Sequence, residues 1–258
     1  MEHCCEGEFA VLATSIDKMV QRMLEQQSIL QKEKVFLADS MADISHQMKT
    51  PLTSISLLLN LLQEEHLSEK KRLQYVQDLM KLTGRIDWMV YALLRLAKLD
   101  AGTVQLQQIP YQIEDLIKAA VTPLEIALDI RDITLEVQIQ PDLQHRGDIS
   151  WMTEAVSNIL KNCMEHTPSG GHIRIVTKDN PLYLLIKITD SGSGFTKQDL
   201  PHIFERFYRG QNADTDSVGI GLALAKRIII AQNGTIRAYN HKKDGGAVFE
   251  IRMYKGAV

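Results

Sequence analysis

Ser45–Ile55 reads SHQMKTPLTSI. It sets one histidine, His46, five residues before Pro51, inside a stretch whose apolar residues step by three and four: Met41, Ile44, Met48, Leu52, Ile55, Leu59 and Leu62. That spacing predicts a helix with a narrow, heptad-like seam. At about 100° per residue, His46 stands about 160° round the helix from Met48. It is expected to face solvent, in a polar stripe with Lys49, Thr50 and Thr53. Pro51 removes one helical N–H and crowds the carbonyl of Gln47 one turn back, which predicts a bend beside His46. A proline inside so strong a helical pattern costs about 3 kcal/mol. A histidine on a helix is in itself an ordinary surface residue, and only its surroundings can give it a chemistry.

Upstream, residues 8–34 are charged and rich in glutamine, with apolar positions at Phe9, Leu12, Ile16, Met19, Met23, Ile29 and Leu30. These spacings continue the seam as a coiled coil. Downstream, HLSEKKR (66–72) breaks the pattern, and Ser68 is expected to cap a second helix from Glu69 to Asp100. Its apolar positions are Leu79, Leu82, Ile86, Met89, Leu93 and Leu96. Gly84 is a flaw in that helix worth about 1 kcal/mol, and Gly102 suits its C-terminal end. Two amphipathic helices joined by a short turn predict an antiparallel hairpin. One hairpin leaves its seams uncovered, whereas two make a four-helix bundle, so the region is expected to form a homodimer.

Past Gly102 the texture changes. Ile113–Asp129, Ser150–His166 and Gly219–Gln232 read as helices. Ile133–Ile139, His172–Thr177, Tyr183–Thr189, Thr235–Ala238 and Ala247–Tyr254 read as strands. Asp244-Gly245-Gly246 suits a hairpin turn before the last strand. The expected class is therefore α plus α/β, a helical hairpin followed by an α/β sandwich.

The 258 residues suffice for two domains, and 45% hydrophobic with 24% charged residues is a globular composition. A net charge of -3 offers no basic field for nucleic acid. Cys4, Cys5 and Cys163 have no metal-ligand spacing and suit a reducing compartment. No signal peptide and no apolar run of membrane-spanning length is present, so a membrane link is expected only through upstream segments absent from this chain.

Three clusters in the second domain carry polar or glycine-rich chemistry. NILKNCMEHT (158–167) puts Asn158 and Asn162 on one helix face. Their amide oxygens are suitable hard ligands for Mg2+, or they form a polar helix face and nothing more. DSGSGF (190–195) follows a strand, and its glycines allow a tight turn close to a ligand. SVGIGLALAK (217–226) opens a helix with Gly219 and Gly221, presenting free N–H groups to an anion. Between them, IFERFYRGQNADTDS (203–217) has the composition of a lid. Its Arg206 and Arg209 either reach phosphate oxygens or lie on a solvated face. No P-loop lysine motif is present.

Taken in order, these blocks resemble those of the sensor histidine kinases of two-component signalling. SHQMKTPLTSI resembles the phosphoacceptor box, NILKNCMEHT the N box, DSGSGF and VGIGLALAK the two glycine boxes, and IFERFYRG the F box. The resemblance runs from about Val35 to the end. It implies an ATP-binding domain of the histidine kinase, gyrase and chaperone superfamily, with ATP and Mg2+ as cofactors. It implies autophosphorylation of His46 and transfer of the phosphoryl group to an aspartate of a response regulator. Asn162 would hold Mg2+, with Asn158 beside it. Asp190 would accept the adenine amino group. Gly192 and Gly194 would shape the adenine side of the site, and Gly219, Gly221 and Leu222 the phosphate side. Phe204 and Phe207 would anchor the lid at the nucleotide, Arg209 would approach the phosphates, and Thr50 would orient a water that dephosphorylates the partner.

The expected domains are a signalling-linker helix (1–34), a dimerisation and phosphotransfer domain (35–102), a hinge (103–107) and a catalytic domain (108–258). EGEFAVLATSIDKM (6–19) resembles the last helix of the linker that follows the membrane span in bacterial receptors, which implies the cytoplasmic part of a cell-membrane receptor. Two positions depart from the family. Gln47 follows the phosphoacceptor where an acid is usual, and an amide fixes a tautomer but is no base. Glu165 stands three residues after Asn162 where lysine is common, so His166 is the expected phosphate contact there. These departures leave a second class open, a non-catalytic adenine-nucleotide-binding scaffold. A third is an ATPase or chaperone-like member of the superfamily, which would need neither His46 nor the hairpin.

Overall fold

The computed structural model describes residues 3–64, 66–210, 218–241 and 245–255, with side chains from Thr14 onward except at 29, 32–34 and 36–40. The seam positions Phe9, Leu12 and Ile29, the lid residues 211–217 and Asp244 of the expected turn therefore lie outside what is described. The chain divides into two compact units, Met1–Leu67 and Ser68–Val258.

The first unit is one helix, α1 (His3–Leu62), which continues through Pro51. A run of hydroxyls back-bonds to carbonyls one turn earlier around it: Ser45 to Met41 at 2.8 Å, Thr50 to His46 at 3.4 Å, Thr53 to Lys49 at 2.9 Å and Ser54 to Thr50 at 3.2 Å. Such bonds compete mildly with the helix ladder, and here they cluster where the proline has already removed one donor. The seam residues Met41, Leu52 and Leu59 are 60%, 49% and 49% exposed.

The second unit opens with α2 (Glu69–Asp100). Ser68 is the residue before it, but its hydroxyl makes no capping bond; its carbonyl accepts the Arg72 N–H instead. At the other end, the N–H of Thr103 bonds the Lys98 carbonyl and that of Gly102 the Leu99 carbonyl, with Gly102 at φ +63. This is the Schellman arrangement expected of a glycine there. By packing, α2 belongs to the second compact unit. The reason is its apolar stripe: Met89, Ala92, Leu96 and Leu99 are buried, while Leu73, Met80 and Leu94 are exposed.

Then follow β1 (Ile109–Gln112), α3 (Ile113–Val121), a 3-10 turn (Thr122–Leu124), α4 (Glu125–Ile130), β2 (Thr134–Gln138), β3 (Gln144–Gly147) and α5 (Ile149–His166). The chain ends with β4 (His172–Asp179), β5 (Tyr183–Asp190), α6 (Gly221–Ala231), β6 (Gly234–Asn240) and β7 (Ala247–Tyr254). The single helix expected over 113–129 is split, because Pro123 cannot donate to the ladder. β1 and β3 were not foreseen; they pair only with each other.

The main sheet has the order β2-β4-β5-β7-β6. β2 runs parallel to β4, with Thr134 opposite His172, and the other pairs are antiparallel. β6 and β7 form the expected hairpin, Asn240 opposite Ala247. Alternation decides which face is covered: Ile173, Ile175 and Thr177 of β4 and Leu184, Ile186, Ile188 and Asp190 of β5 are buried, their neighbours less so. α3, α5 and α6 pack together, and α2 packs on α6. Asp190 therefore ends a row of aliphatic core positions, where a carboxyl group is out of place unless a ligand needs it.

Asp148 fixes the start of α5. Its carboxylate accepts the N–H of Trp151 at 3.2 Å and of Gln107 at 3.2 Å. The buried Gln232 amide clasps its backbone, accepting from Asp148 N at 2.7 Å and donating to Asp148 O at 3.2 Å. This cap sets the rotation of α5 and hence where Asn158 and Asn162 lie.

Candidate functional site: a nucleotide cleft and an exposed histidine

His46, Gln47 and Thr50 lie together on α1, with His46 exposed and Gln47 half-buried. The Thr50 hydroxyl donates to the carbonyl of His46, which leaves its oxygen lone pairs able to accept from a water.

In the second unit, a cavity of about 460 Å³ opens where β5, α5, α6 and α2 meet. Asn158, Asn162, Glu165 and His166 reach it from α5, at spacings of three and four that share one helix face. Asp190 and Gly194 line it from the end of β5 and the turn after it. Gly219, Gly221 and Leu222 line it from the start of α6, and Arg209 from the segment before. The first turn of α6 lies against Asn158: a Cβ on Gly221 would stand 3.2 Å from the Asn158 Oδ1. So the amide pair of α5 and the free N–H groups of α6 face one space, with a cation beside them, which is an arrangement for anions.

Two residues expected at the ligand are not in the lining. Gly192 sits behind it. Its N–H donates to Asp190 Oδ1 at 2.9 Å, and a Cβ there would collide with the His166 carbonyl. The close approach of β5's end to α5 needs glycine at that point. Phe207 takes a left-handed backbone, φ +62, and donates its N–H to the Gly219 carbonyl at 2.9 Å. Gly219 itself is at φ +73 and has the Phe207 and Tyr208 backbone against its Cα. Phe207 thus ties its segment to the glycine turn. Phe204 packs edge-on against Phe249 with centroids 6.5 Å apart. Arg206 pairs with Asp100 at the end of α2 and is absent from the lining.

Asp190 is 3% exposed. Its Oδ1 accepts from Gly192 and from Ala247 at 3.0 Å. Its Oδ2 is buried and has no hydrogen-bond partner among the described residues. An acceptor held ready at a cavity wall, and costly if left unmade, fits a ligand that brings a donor. Beside it, Cys163 is fully buried; burial first and the Asp190 carboxylate second push its thiol well above the ordinary range. Such a thiol packs and does not react.

Residues not expected at a site also line the cavity. Tyr208 donates to Asp199 Oδ1 at 2.7 Å, a bond that pushes the Tyr208 phenol upward and ties the lid to the segment after β5. Lys81, Leu82, Gly84, Arg85 and Trp88 form a wall from α2. Their shared face was visible in the helical period, but its destination depends on tertiary packing.

Residues 37–102 match the model of the His Kinase A (phospho-acceptor) domain, and residues 147–256 that of the histidine kinase-, DNA gyrase B-, and HSP90-like ATPase. The chain belongs to the sensor histidine kinases of bacterial two-component systems. Over 225 residues it is 32% identical to the sensor protein SphS of Synechococcus elongatus, covering 82% of this chain and 53% of that protein. It is 29% identical over 250 residues to the heme sensor protein HssS of Staphylococcus saprophyticus, covering 97% of this chain and 52% of that protein. The solved structure of histidine kinase ThkA in complex with response regulator protein TrrA shares the fold at a TM-score of 0.71 and 18% identity, over 87% of this chain and 64% of that one. The chain spans about half the length of the curated relatives it matches. No helix among the described residues is long and apolar enough to cross a membrane.

Proposed function

We propose that this chain is an ATP-dependent protein-histidine kinase that phosphorylates its own His46 and passes the phosphoryl group to an aspartate of a response regulator. The observation that carries this reading is Asp190 Oδ2, a buried acceptor without a donor at the wall of the cavity. The exocyclic amino group of adenine is such a donor, whereas the carbonyl that guanine carries at the same position would repel the carboxylate. Opposite, the amides of Asn158 and Asn162, the N-terminus of α6 and Arg209 suit a phosphate chain. The amide oxygen of Asn162, with Asn158 beside it, is the hard donor that would hold Mg2+, most of whose shell comes from phosphates and water. When bound, that ion neutralises the charge of the phosphate chain.

The protein's own part is positioning. Asp190 fixes the base, and α6 and Arg209 hold the phosphates. His46 offers a ring nitrogen whose lone pair forms the N–P bond as the bond from the γ-phosphorus to the ADP oxygen breaks. Gln47 can accept from the other ring N–H and fix the tautomer, but takes no proton. Thr50 would orient a water for removing the phosphoryl group from the partner. The exposed seam of Met41, Leu52 and Leu59 supports a homodimer built as a four-helix bundle. A stretch after Asp100 would act as the hinge between the phosphotransfer and catalytic domains. The chain would work in the cytoplasm as part of a membrane receptor whose upstream segments carry the span.

The test is label from γ-labelled ATP with Mg2+: acid-labile, base-stable incorporation in the wild type, absent in His46→Gln and in Asp190→Asn. Persistence of label in His46→Gln overturns the site. Glu165 at the cavity wall favours a second reading, a nucleotide-binding scaffold without transfer. Wild type that binds ATP with Mg2+ and forms no phosphohistidine establishes it.

A further inference from the structure

α2 and α5 face each other in antiparallel register within the second unit. Arg95 Nε lies 3.6 Å from Glu154 Oε2, and the Tyr91 hydroxyl donates to the same oxygen at 3.3 Å. The Arg95 guanidinium stacks 4.0 Å over Trp151. Two turns back along α2, and two turns on along α5, Lys161 Nζ lies 5.4 Å over the Trp88 ring. Continuing in that direction brings Arg85 and Lys81 to the Glu165–His166 end of α5. Both line the nucleotide cavity there.

The charge of that end is the difficulty. Glu165 shares the helix face of Asn162 and lines the cavity, and a carboxylate beside a phosphate chain is repulsive. Lys161 Nζ is 3.9 Å from Glu165 Oε1, and with its side chain 50% exposed this pair contributes little. The lining contains four lysines or arginines, Lys81, Arg85, Lys161 and Arg209, and two of them come from α2. Gly84, between them, lines the same cavity, and a Cβ added to it would meet no atom within 4 Å. Packing therefore does not call for glycine at this interior helix position, where it costs about 1 kcal/mol. Its bare backbone leaves room for a ligand close to α2.

We propose that Lys81 and Arg85 of α2 bind the phosphate chain of the nucleotide, adding two cations from outside the ATP-binding fold to Lys161 and Arg209. This rests on the reading of the cavity as an ATP site. Its consequence is linkage: a nucleotide held from both sides fastens α2 to the catalytic domain, so ATP affinity depends on whether α2 is docked. A signal that moves α2 would then reach the nucleotide directly.

The test measures ATP and adenosine binding to the full chain by calorimetry, with Mg2+ present. In Lys81→Ala/Arg85→Ala, ATP affinity falls about tenfold or more, as for lost charge-assisted contacts, while adenosine affinity stays within about twofold of wild type. Adding Glu165→Lys to that double variant restores ATP affinity by placing a cation on α5. Unchanged ATP affinity overturns the proposal, and so does an equal loss for ATP and adenosine, which means that α2 only walls the site. A double variant that is misfolded fails to recover with Glu165→Lys, and the single variants Lys81→Met and Arg85→Met then decide by the same ratio. Wild type that binds neither compound overturns the ATP reading itself, and this proposal with it.

Discussion

Asp100, the last residue of α2, accepts the Nε–H of Arg227 of α6 on its Oδ1 at 2.8 Å, while Arg206 of the lid segment pairs with its Oδ2. Arg227 also donates to the Leu99 carbonyl at 3.4 Å. One carboxylate thus joins the end of α2, the helix that opens the anion site and the lid, immediately before the Gly102 turn. All three side chains are part-exposed, 26% to 38%, so the network contributes only about 1 kcal/mol. Its significance is positional, since it lies just before the proposed hinge at 103–107.

Asp100→Ala is expected to lower the melting temperature by only about 2–4 °C and to raise the amide exchange of the Met89–Leu99 segment. With the catalytic domain freed to swing, the initial rate of autophosphorylation should rise. The measurement pairs hydrogen exchange with label incorporation. Faster exchange with an unchanged or lower rate would show that this contact does not restrain the kinase step.

How far the sequence revealed this arrangement depends on the length scale of each interaction. α1, α2, α5 and the strands of the main sheet announce themselves through local period, as in Leu184, Ile186 and Ile188 facing one way along β5. β1 and β3 have four residues each, IPYQ and QHRG, too short and too polar for alternation to register. The split between α3 and α4 was readable in Pro123, whereas the cap at Asp148 depends on the buried Gln232, 84 residues further along the chain. In the cavity, the residues gathered from α5, β5 and α6 fall in compact polar or glycine-rich clusters that stand out from aliphatic surroundings. Lys81, Arg85 and Trp88 do not, because nothing near them in sequence separates a helix face that meets a ligand from one that meets water. The same holds for Asp199 and Tyr208, ordinary alone and joined only by the fold.

Cys163 offers a pH test with a fixed sign. Burial, then the Asp190 carboxylate, raises its thiol above the value it takes in the unfolded chain. The folded state therefore holds the proton more tightly. This contribution is complete below the ordinary thiol pKa, about 8.5, and is lost as pH rises through the higher folded value. Urea unfolding at pH 7 and pH 9.5 should show a larger fall in stability for the wild type than for Cys163→Ala, whose core has no group to ionise there. Peptide mapping after alkylation at pH 8 should find Cys163 unmodified in the folded protein and modified in urea. Equal falls for both proteins, or modification in the folded state, would contradict the burial assigned to this thiol.

Gln47 is the remaining lever on the chemistry. It follows the exposed His46 on α1 and is itself half-buried, so its amide has a restricted set of partners. An amide oxygen can accept from the imidazole N–H and hold one tautomer, but it cannot stabilise the positive charge that builds on the ring as its other nitrogen attacks phosphorus. A carboxylate at the same place does both, by attraction to the developing cation and by taking its proton. Gln47→Glu is nearly isosteric and keeps the helix, since glutamate and glutamine have similar helix propensities. The substitution should therefore raise the initial rate of His46 labelling by about tenfold or more, within the range for a positioned acid-base group, with ATP affinity unchanged because the nucleotide cavity does not include residue 47. Rates measured from pH 6 to 9 at saturating ATP check this. A rate that stays at the wild-type level across that range would mean that proton removal from the ring does not limit the reaction, and that positioning of the two units sets the speed instead.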